Sequence, residues 1–328
     1  VMNPIFSRTL KALCTVAAAA LLSACGGSSS TVDPFVATRV IAFGDGFNYV
    51  NSSGAGLSTV RTGETNNTLA GRIAERYGIV VKDAATVAGG LVSTGGFSYA
   101  TANATVSGVA TLTTGQIDTF LTAAGGAVSK KDLIIISVGN WDIKAAAATN
   151  NTSAIDTATT NLVAAIQRLT AAGAEHVVVI PSINMARTPW ATGSGISRAT
   201  IQDLSNSAAT SFNRTLNTKL VNAYSQDRKP VLLLDPTADF NSFAGSVDVN
   251  GATVQNFSGL ALTNLSTAVC TTASPAAGCT TSVGAGGLIN ATDYLTSVFA
   301  DEINVTPVIN RYLADRMLAN MINIGWAP

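Results

Sequence analysis

The stretch RVIAFGDGFNYV, Arg39 to Val50, runs a buried-looking strand, Val40–Phe43, into a tight turn, Gly44-Asp45-Gly46. Many hydrolases carry a serine nucleophile at the third position of such a turn. Here that position is Gly46, which has no side chain to attack with. Other groups along the chain have the chemistry a site needs. Asp45, Asp142 and Asp301 fall near predicted strand ends, and converging carboxylates bind a divalent cation or do acid–base work. Ser52, Ser53 and Ser98 are hydroxyls that could attack, with Lys144 as their base. His176 is the only histidine of the chain. It stands before the strand Val177–Ile180, about 16 Å from that strand's far end, and reads as a surface residue at a strand entry.

Such groups act only where a scaffold gathers them. Short β-branched runs at Val40–Phe43, Leu133–Val138, Val177–Ile180 and Val231–Leu234, with a weaker one at Ile79–Val81, suit strands buried on both faces. Helical spacing fills the intervals at Thr68–Tyr77, Gln116–Ala123, Ile155–Ala172 and Ser197–Ser225, and LADRMLANMI from Leu313 closes the chain. This alternation predicts an α/β fold, a parallel sheet of about five strands with helices on both faces. Sites in such sheets form at the carboxyl ends of the strands. That rule selects Gly44–Asn48, Gly139–Ile143, Pro181–Pro189, Asp235–Thr237 and the loop before the last helix. The segment Asp239–Gly287 breaks the alternation, with a hairpin turn expected at Asn250-Gly251. GGLVSTGG, Gly89–Gly96, reads as a mobile loop. It lacks phosphate-loop spacing, and the sequence calls for no cofactor.

Composition narrows the partners. The chain has 328 residues and is 47% hydrophobic, enough for one large domain with a full core. Only 12% of residues are charged, the formal net charge is zero, and no run of Lys or Arg occurs, which argues against nucleic acid as a partner.

At the selected positions the chain resembles the GDSL (SGNH) esterase/lipase family. IAFGDGFNYV is similar to the family's first block, F-G-D-S-L-S-D. TLTTGQIDTFLTAAGGAVSKKDLIIISVGNWDI follows the pattern of Q-I-D, a helix, D-L and a strand ending G-x-N-D. HVVVIPSINMARTP resembles the L-P-D-x-x-x-T-P strand and loop. YLTSVFADEINVTPVINRYLADRM is similar to Y-L-F-x-D-x-x-H-P-T, a second His and a helix. The resemblance implies a three-layer α/β/α sandwich of the SGNH-hydrolase, flavodoxin-like kind. It also implies ester hydrolysis, in which a Ser attacks, a His takes its proton and an Asp orients the His. The Ser N–H, a Gly N–H and an Asn side chain bind the oxyanion.

Carried over residue by residue, that machinery is mostly replaced. The Ser position is Gly46, and the Gly of the second block falls on Ala102 or Asn103. The oxyanion Asn falls on Trp141 when Gly139 and Asp142 are aligned. Asn140 stands one place earlier, where a strand register would turn its side chain away. The His falls on Asn304 and the second His on Asn310. Asp301 alone stands where the triad Asp should.

The N-terminus reads as targeting rather than fold. Arg8 and Lys11 precede an apolar run from Ala12 to Leu22, too short to span a bilayer. The run ends in LSAC, which resembles the bacterial lipobox. The resemblance implies a signal peptide over residues 1–24, lipidation of Cys25 with a flexible tether over residues 25–37, and a hydrolase-like domain over residues 38–328. Gly26 after that cysteine favours the outer membrane, with the domain facing the periplasm or the cell surface. Cys270 and Cys279 then form a disulfide in an oxidising compartment. Two cysteines without a nearby His do not fill a metal shell.

The reading that follows is an outer-membrane lipoprotein on a hydrolase fold that has lost its chemistry and serves a binding or structural role. Asp45, Gly46, Asn140, Trp141 and Asp142, with Asn103 and Asn304 nearby, would border a small acyl or sugar ligand. The alternatives are an active GDSL-type esterase or lipase on carboxylic esters, and an enzyme whose chemistry has moved to the carboxylates.

Overall fold

The computed structural model describes residues 35–58, 67–87, 91–225, 229–243, 255–257, 260–271, 279–280, 282–284, 287–289 and 293–328. The expected signal over residues 1–24, Cys25 and the turn expected at Asn250-Gly251 lie outside the described residues.

The sheet consists of β1 (Arg39–Gly44), β2 (Val81–Asp83), β3 (Gly95–Ser98), β4 (Asp132–Ser137), β5 (Val177–Ile180) and β6 (Val231–Leu233). All neighbours run parallel, in the order β2-β3-β1-β4-β5-β6. Leaving aside the edge strand β2, the other five lie in the order second, first, third, fourth, fifth. That is the flavodoxin-like arrangement, with its switch point beside β1. The sheet has six strands where about five were expected. The additional one, β3, comes from the glycine-rich stretch that reads as a loop. Its glycines have little strand preference, yet Gly96 is there for a steric reason. A Cβ at Gly96 would stand 2.7 Å from the Val80 carbonyl oxygen and 2.8 Å from Val81 Cα of the adjoining strand.

The helices that position the site are α1 (Leu69–Glu75), α2 (Val106–Ala110), α3 (Gln116–Ala123), α4 (Asn140–Ala147), α5 (Thr152–Ala171), α6 (Phe212–Tyr224) and α7 (Pro307–Asn323). Helices α1 and α7 pack on each other in one layer, and α2, α3 and α6 gather on α5 in the other. Helix α5 shows how sequence dictates this. Asn151 accepts from the Ala154 N–H at 2.9 Å and caps its start, and Ile155, Leu162, Ile166 and Leu169 form its buried stripe. The single helix expected over Ser197–Ser225 is interrupted. Arg198–Gln202 passes into a π-type turn, Asp203–Ser207, before α6 begins. The run SNSAATS supplies side chains that compete for backbone partners.

Segment Asp239–Gly287 does leave the sheet's rhythm and adds an antiparallel pair, Gln255–Phe257 with Leu260–Leu262. The Cys270–Cys279 disulfide forms. Its cysteines join Val269, Leu288 and Ala300 in a small second core. The Cys270 N–H donates to the Ala300 carbonyl at 2.9 Å, so the disulfide braces the loop that carries Asp301 and Asn304.

At the sheet's amino edge, Arg39 on β1 and Asp132 on β4 form a buried two-point pair, with contacts of 2.7 and 2.5 Å. Removing one partner of such a pair strands a charge, while replacing both with apolar groups is far cheaper. Arg39→Met is therefore expected to cost about 3–5 kcal/mol in urea unfolding, and Arg39→Met with Asp132→Leu much less. Equal losses in the two variants would show that the pair itself holds the strands.

Candidate functional site

The carboxyl ends of β1 and β4 lie side by side, with Gly44 opposite Ser137. Beyond them the Asp45 carboxylate turns inward. Its Oδ2 accepts from Asn140 Nδ2 at 3.0 Å and its Oδ1 from the Phe47 N–H at 3.3 Å. Asn140 Oδ1 in turn accepts from Ser182 Oγ at 2.9 Å and from the Ile183 N–H at 3.2 Å, just past β5. One carboxylate and one amide thus tie the ends of three strands. This corrects the expectation that Asn140 faces away. The pleat ends before it, Gly139 takes φ 127°, and Asn140 opens helix α4, so the two-residue period of a strand no longer governs it.

Gln116, which sequence reasoning left unassigned within the Q-I-D block, completes the frame. Its Nε2 donates to the Gly44 carbonyl at 3.0 Å and its Oε1 accepts from the Gly44 N–H at 2.6 Å. A helix-borne amide at a fixed distance before G-x-N-D was its available signal.

The Asp–His pair of the resemblance has a counterpart without a base. Asp301 accepts from the Ile303 and Asn304 N–H groups at 2.8 and 2.6 Å, and from Asn304 Nδ2 at 2.8 Å. An amide donates to a carboxylate as an imidazole would, but its oxygen does not take up a proton near neutral pH. That oxygen points at the nucleophile position. A Cβ built on Gly46 would stand 2.1 Å from Asn304 Oδ1 and 2.9 Å from Leu57 Cδ1. The volume of a serine side chain is already filled.

Asp45, Asn140, Asp301 and Asn304 are each at most 2% exposed, and Gly46 is buried with them. Surface grooves of about 650 and 470 Å³ are lined by none of these residues. Beside these residues lies a strap. Lys144 Nζ rests 4.5 Å from the centre of the half-buried Trp141 ring and 5.8 Å from that of Trp190, and forms an ion pair with Glu302. The Trp190 N–H donates to the Glu302 carbonyl at 3.0 Å. The Trp141 Nε1–H is buried and has no hydrogen-bond partner.

The remaining candidates are placed elsewhere or already engaged. Asp142 accepts from the Val106 N–H at 3.0 and 3.2 Å and holds the start of α2. Ala102 is half-buried and Asn103 exposed, in the turn before that helix. Asn310 Nδ2 donates to the Asn67 carbonyl at 2.8 Å. Ser98 Oγ is buried and donates to the Asn48 carbonyl at 2.7 Å, while Ser52 and Ser53 are exposed. His176 lies at the amino end of the sheet, as its sequence position requires, but it is half-buried rather than a surface residue. It stacks on Phe35 at 3.6 Å and meets the Trp326 ring edge at 4.9 Å. The aromatic residues at both ends of the domain, distant in sequence, form that slot. Among the described residues, no group of three or more His, Cys, Asp or Glu could hold a metal ion.

Burial pushes the Asp45 carboxyl up to about 7 against its hydrogen bonds, with the Asp142 charge adding to the push. Burial likewise raises Asp142 to about 6, against the Val106 N–H.

No known family's sequence profile matches the chain, and no curated protein does. Among solved structures, a Bacillus subtilis protein shares 11% identity over 88% of this chain, with a TM-score of 0.43, and the chain spans 57% of its length. A Slackia heliotrinireducens protein, provisionally assigned as an SGNH hydrolase, shares 13% identity over 87% of this chain and 99% of its own, with a TM-score of 0.35. A provisional arylesterase of Agrobacterium tumefaciens shares 14% over 88% of this chain and 99% of its own, with a TM-score of 0.40. The sheet order and the helix layers define the fold class: a three-layer α/β/α sandwich with the flavodoxin-like strand order.

Two outcomes are expected from this geometry. Gly46→Ser should lower stability by about 1–3 kcal/mol through overpacking, and Asn304→Ala should relieve much of that loss. Additive losses in a double-mutant cycle by urea unfolding would show that Asn304 does not occupy the position. The second concerns pH. The unfolded Asp45 carboxyl ionises near its ordinary 3.8, whereas the folded one keeps its proton to about 7. The stability it contributes is full below about 4 and falls as pH rises to 7, by up to about 4 kcal/mol. Asp45→Asn should flatten most of that slope and leave the smaller, same-signed part from Asp142. An unchanged slope in Asp45→Asn would assign it to other groups.

Proposed function

We propose that this chain is a catalytically silent hydrolase-fold lipoprotein, tethered through Cys25 after removal of residues 1–24 and serving a binding or structural role at the bacterial outer membrane. The observation that carries the loss of chemistry is the Asn304 amide in the space of a nucleophile side chain. Gly46 offers nothing to attack with, Asn304 offers no base, and His176 lies at the opposite end of the sheet. Triad members act as a unit, so replacement of two removes the mechanism.

The other functional readings have less support. Ser98 is bonded to backbone, and Lys144, the base offered for a moved nucleophile, is paired with Glu302. Asp142 supports a helix terminus, and Asp301 supports its own turn. A small acyl or sugar ligand would rest on the part of the site open to water, the Trp141 and Trp190 faces about Lys144. The anchoring itself is supported by the LSAC sequence after an apolar run.

The test is initial rates on p-nitrophenyl acetate and butyrate, with fluorophosphonate labelling beside them. The wild type is expected to stay at the buffer rate and to take no label. Gly46→Ser, Trp141→Asn and Asn304→His combined should raise hydrolysis by at least about tenfold, a barrier change of about 1.4 kcal/mol. Turnover by the wild type above background would end the silent reading.

A further inference from the structure

Nine large apolar side chains are exposed among the described residues, and five of them gather at one end of the domain. Val80, Val92 and Val36 come just before the first residues of β2, β3 and β1, three consecutive strands of the sheet. The loop that carries Val92 is fixed against β1. The Val92 carbonyl accepts from Arg39 Nη1 at 3.3 Å, and the Thr38 carbonyl accepts from the Gly95 N–H at 3.0 Å. Ile322 and Ile324 join this rim from the end of α7, because the Gly325 carbonyl accepts from the Phe35 N–H at 3.1 Å. All five are between 45% and 55% exposed. The exposed Lys130 and Lys131 follow at the start of β4, next along the same edge, Lys130 paired with Glu175 at 2.6 Å. Single exposed apolar residues are ordinary, whereas a group at one pole marks a contact surface.

We propose that this amino-end face rests on a phospholipid bilayer. The inference builds on the anchoring of Cys25 proposed above. Cys25 stands ten residues before Phe35, which is bonded into this face. Even fully extended, that length reaches at most about 36 Å, so an acylated Cys25 holds this pole within about that distance of the lipid. Weak lipid anchors gain hold from a second contact, and aliphatic side chains beside lysines suit the interface of acyl chains with anionic headgroups.

The test uses the full chain, purified from bacterial membranes and placed in phosphatidylethanolamine–phosphatidylglycerol vesicles that carry a lipid-borne nitroxide quencher. A thiol-reactive fluorophore is attached at Val36→Cys, Val92→Cys or Ile324→Cys, and for comparison at Ile289→Cys or Leu295→Cys. The Cys270–Cys279 disulfide leaves no competing thiol in the folded domain. Quenching severalfold greater at the first three positions is expected. Equal quenching at all five, or none, overturns the docking. Shielding of the three positions that grows with protein concentration, without quenching, also overturns it and assigns the face to a second copy. The mass of the N-terminal peptide reads acylation separately. An acylated chain without the quenching contrast defeats the docking alone. An unacylated chain that keeps the contrast on added vesicles defeats the anchoring alone.

Discussion

A carboxylate taken out of water must be met by donors or hold a proton, and Asp45 does some of each. Much of the carboxyl-end architecture follows from that requirement. Its Asn140 donor stands at the first turn of α4, so the helix starts where it does. With Asn140 turned inward, the next residues are aimed by helical geometry. Trp141 comes to lie half-buried against the core, and Asp142 reaches the start of α2. Lys144, three residues beyond Trp141, lies back on the ring and reaches Glu302. The Asn140 oxygen is held by Ser182 and Ile183, so β5 is fixed to the same point.

The Asp301 side of the site answers a different constraint. Asn304 keeps the donor that a turn-capping carboxylate needs, and so the loop survives without a base in it. Its oxygen then occupies space that only a glycine at position 46 leaves open. The two residues are complementary, because a side chain at 46 displaces the amide, and the amide excludes a side chain at 46. The hydrogen-bond frame around position 46 rests mainly on Asp45, Gln116, Asn140 and Asp301.

Much of this was legible in the sequence, where burial or backbone geometry forces residue type. The apolar runs of β1, β4 and β5 are strands because they are covered on both faces, and their ends selected positions worth reading. Strand β3 was hidden because Gly96 answers to the close approach of β2 and not to strand preference. The inward turn of Asn140 was hidden because a strand pattern was extended one residue into a helix. The Lys144–Glu302 strap and the aromatic slot around His176 join residues far apart in the chain, and no local spacing announces them. Position 46 could be read as missing a hydroxyl, but not as filled by Asn304, since that depends on how two loops meet.

The two ends of the folded domain also meet. Phe35 bonds to Gly325, the Tyr77 hydroxyl donates to the Trp326 carbonyl at 2.5 Å, and His176 is held between the rings of Phe35 and Trp326. In connectivity the domain is therefore nearly a ring. A short peptide from residue 328 to residue 35 would close it without moving a strand, and new ends could be opened at an exposed turn such as Thr149–Asn151 with the sheet order kept. The order of the blocks along the gene is thus a property of where the ring is cut, and their meeting in space is a property of the sheet.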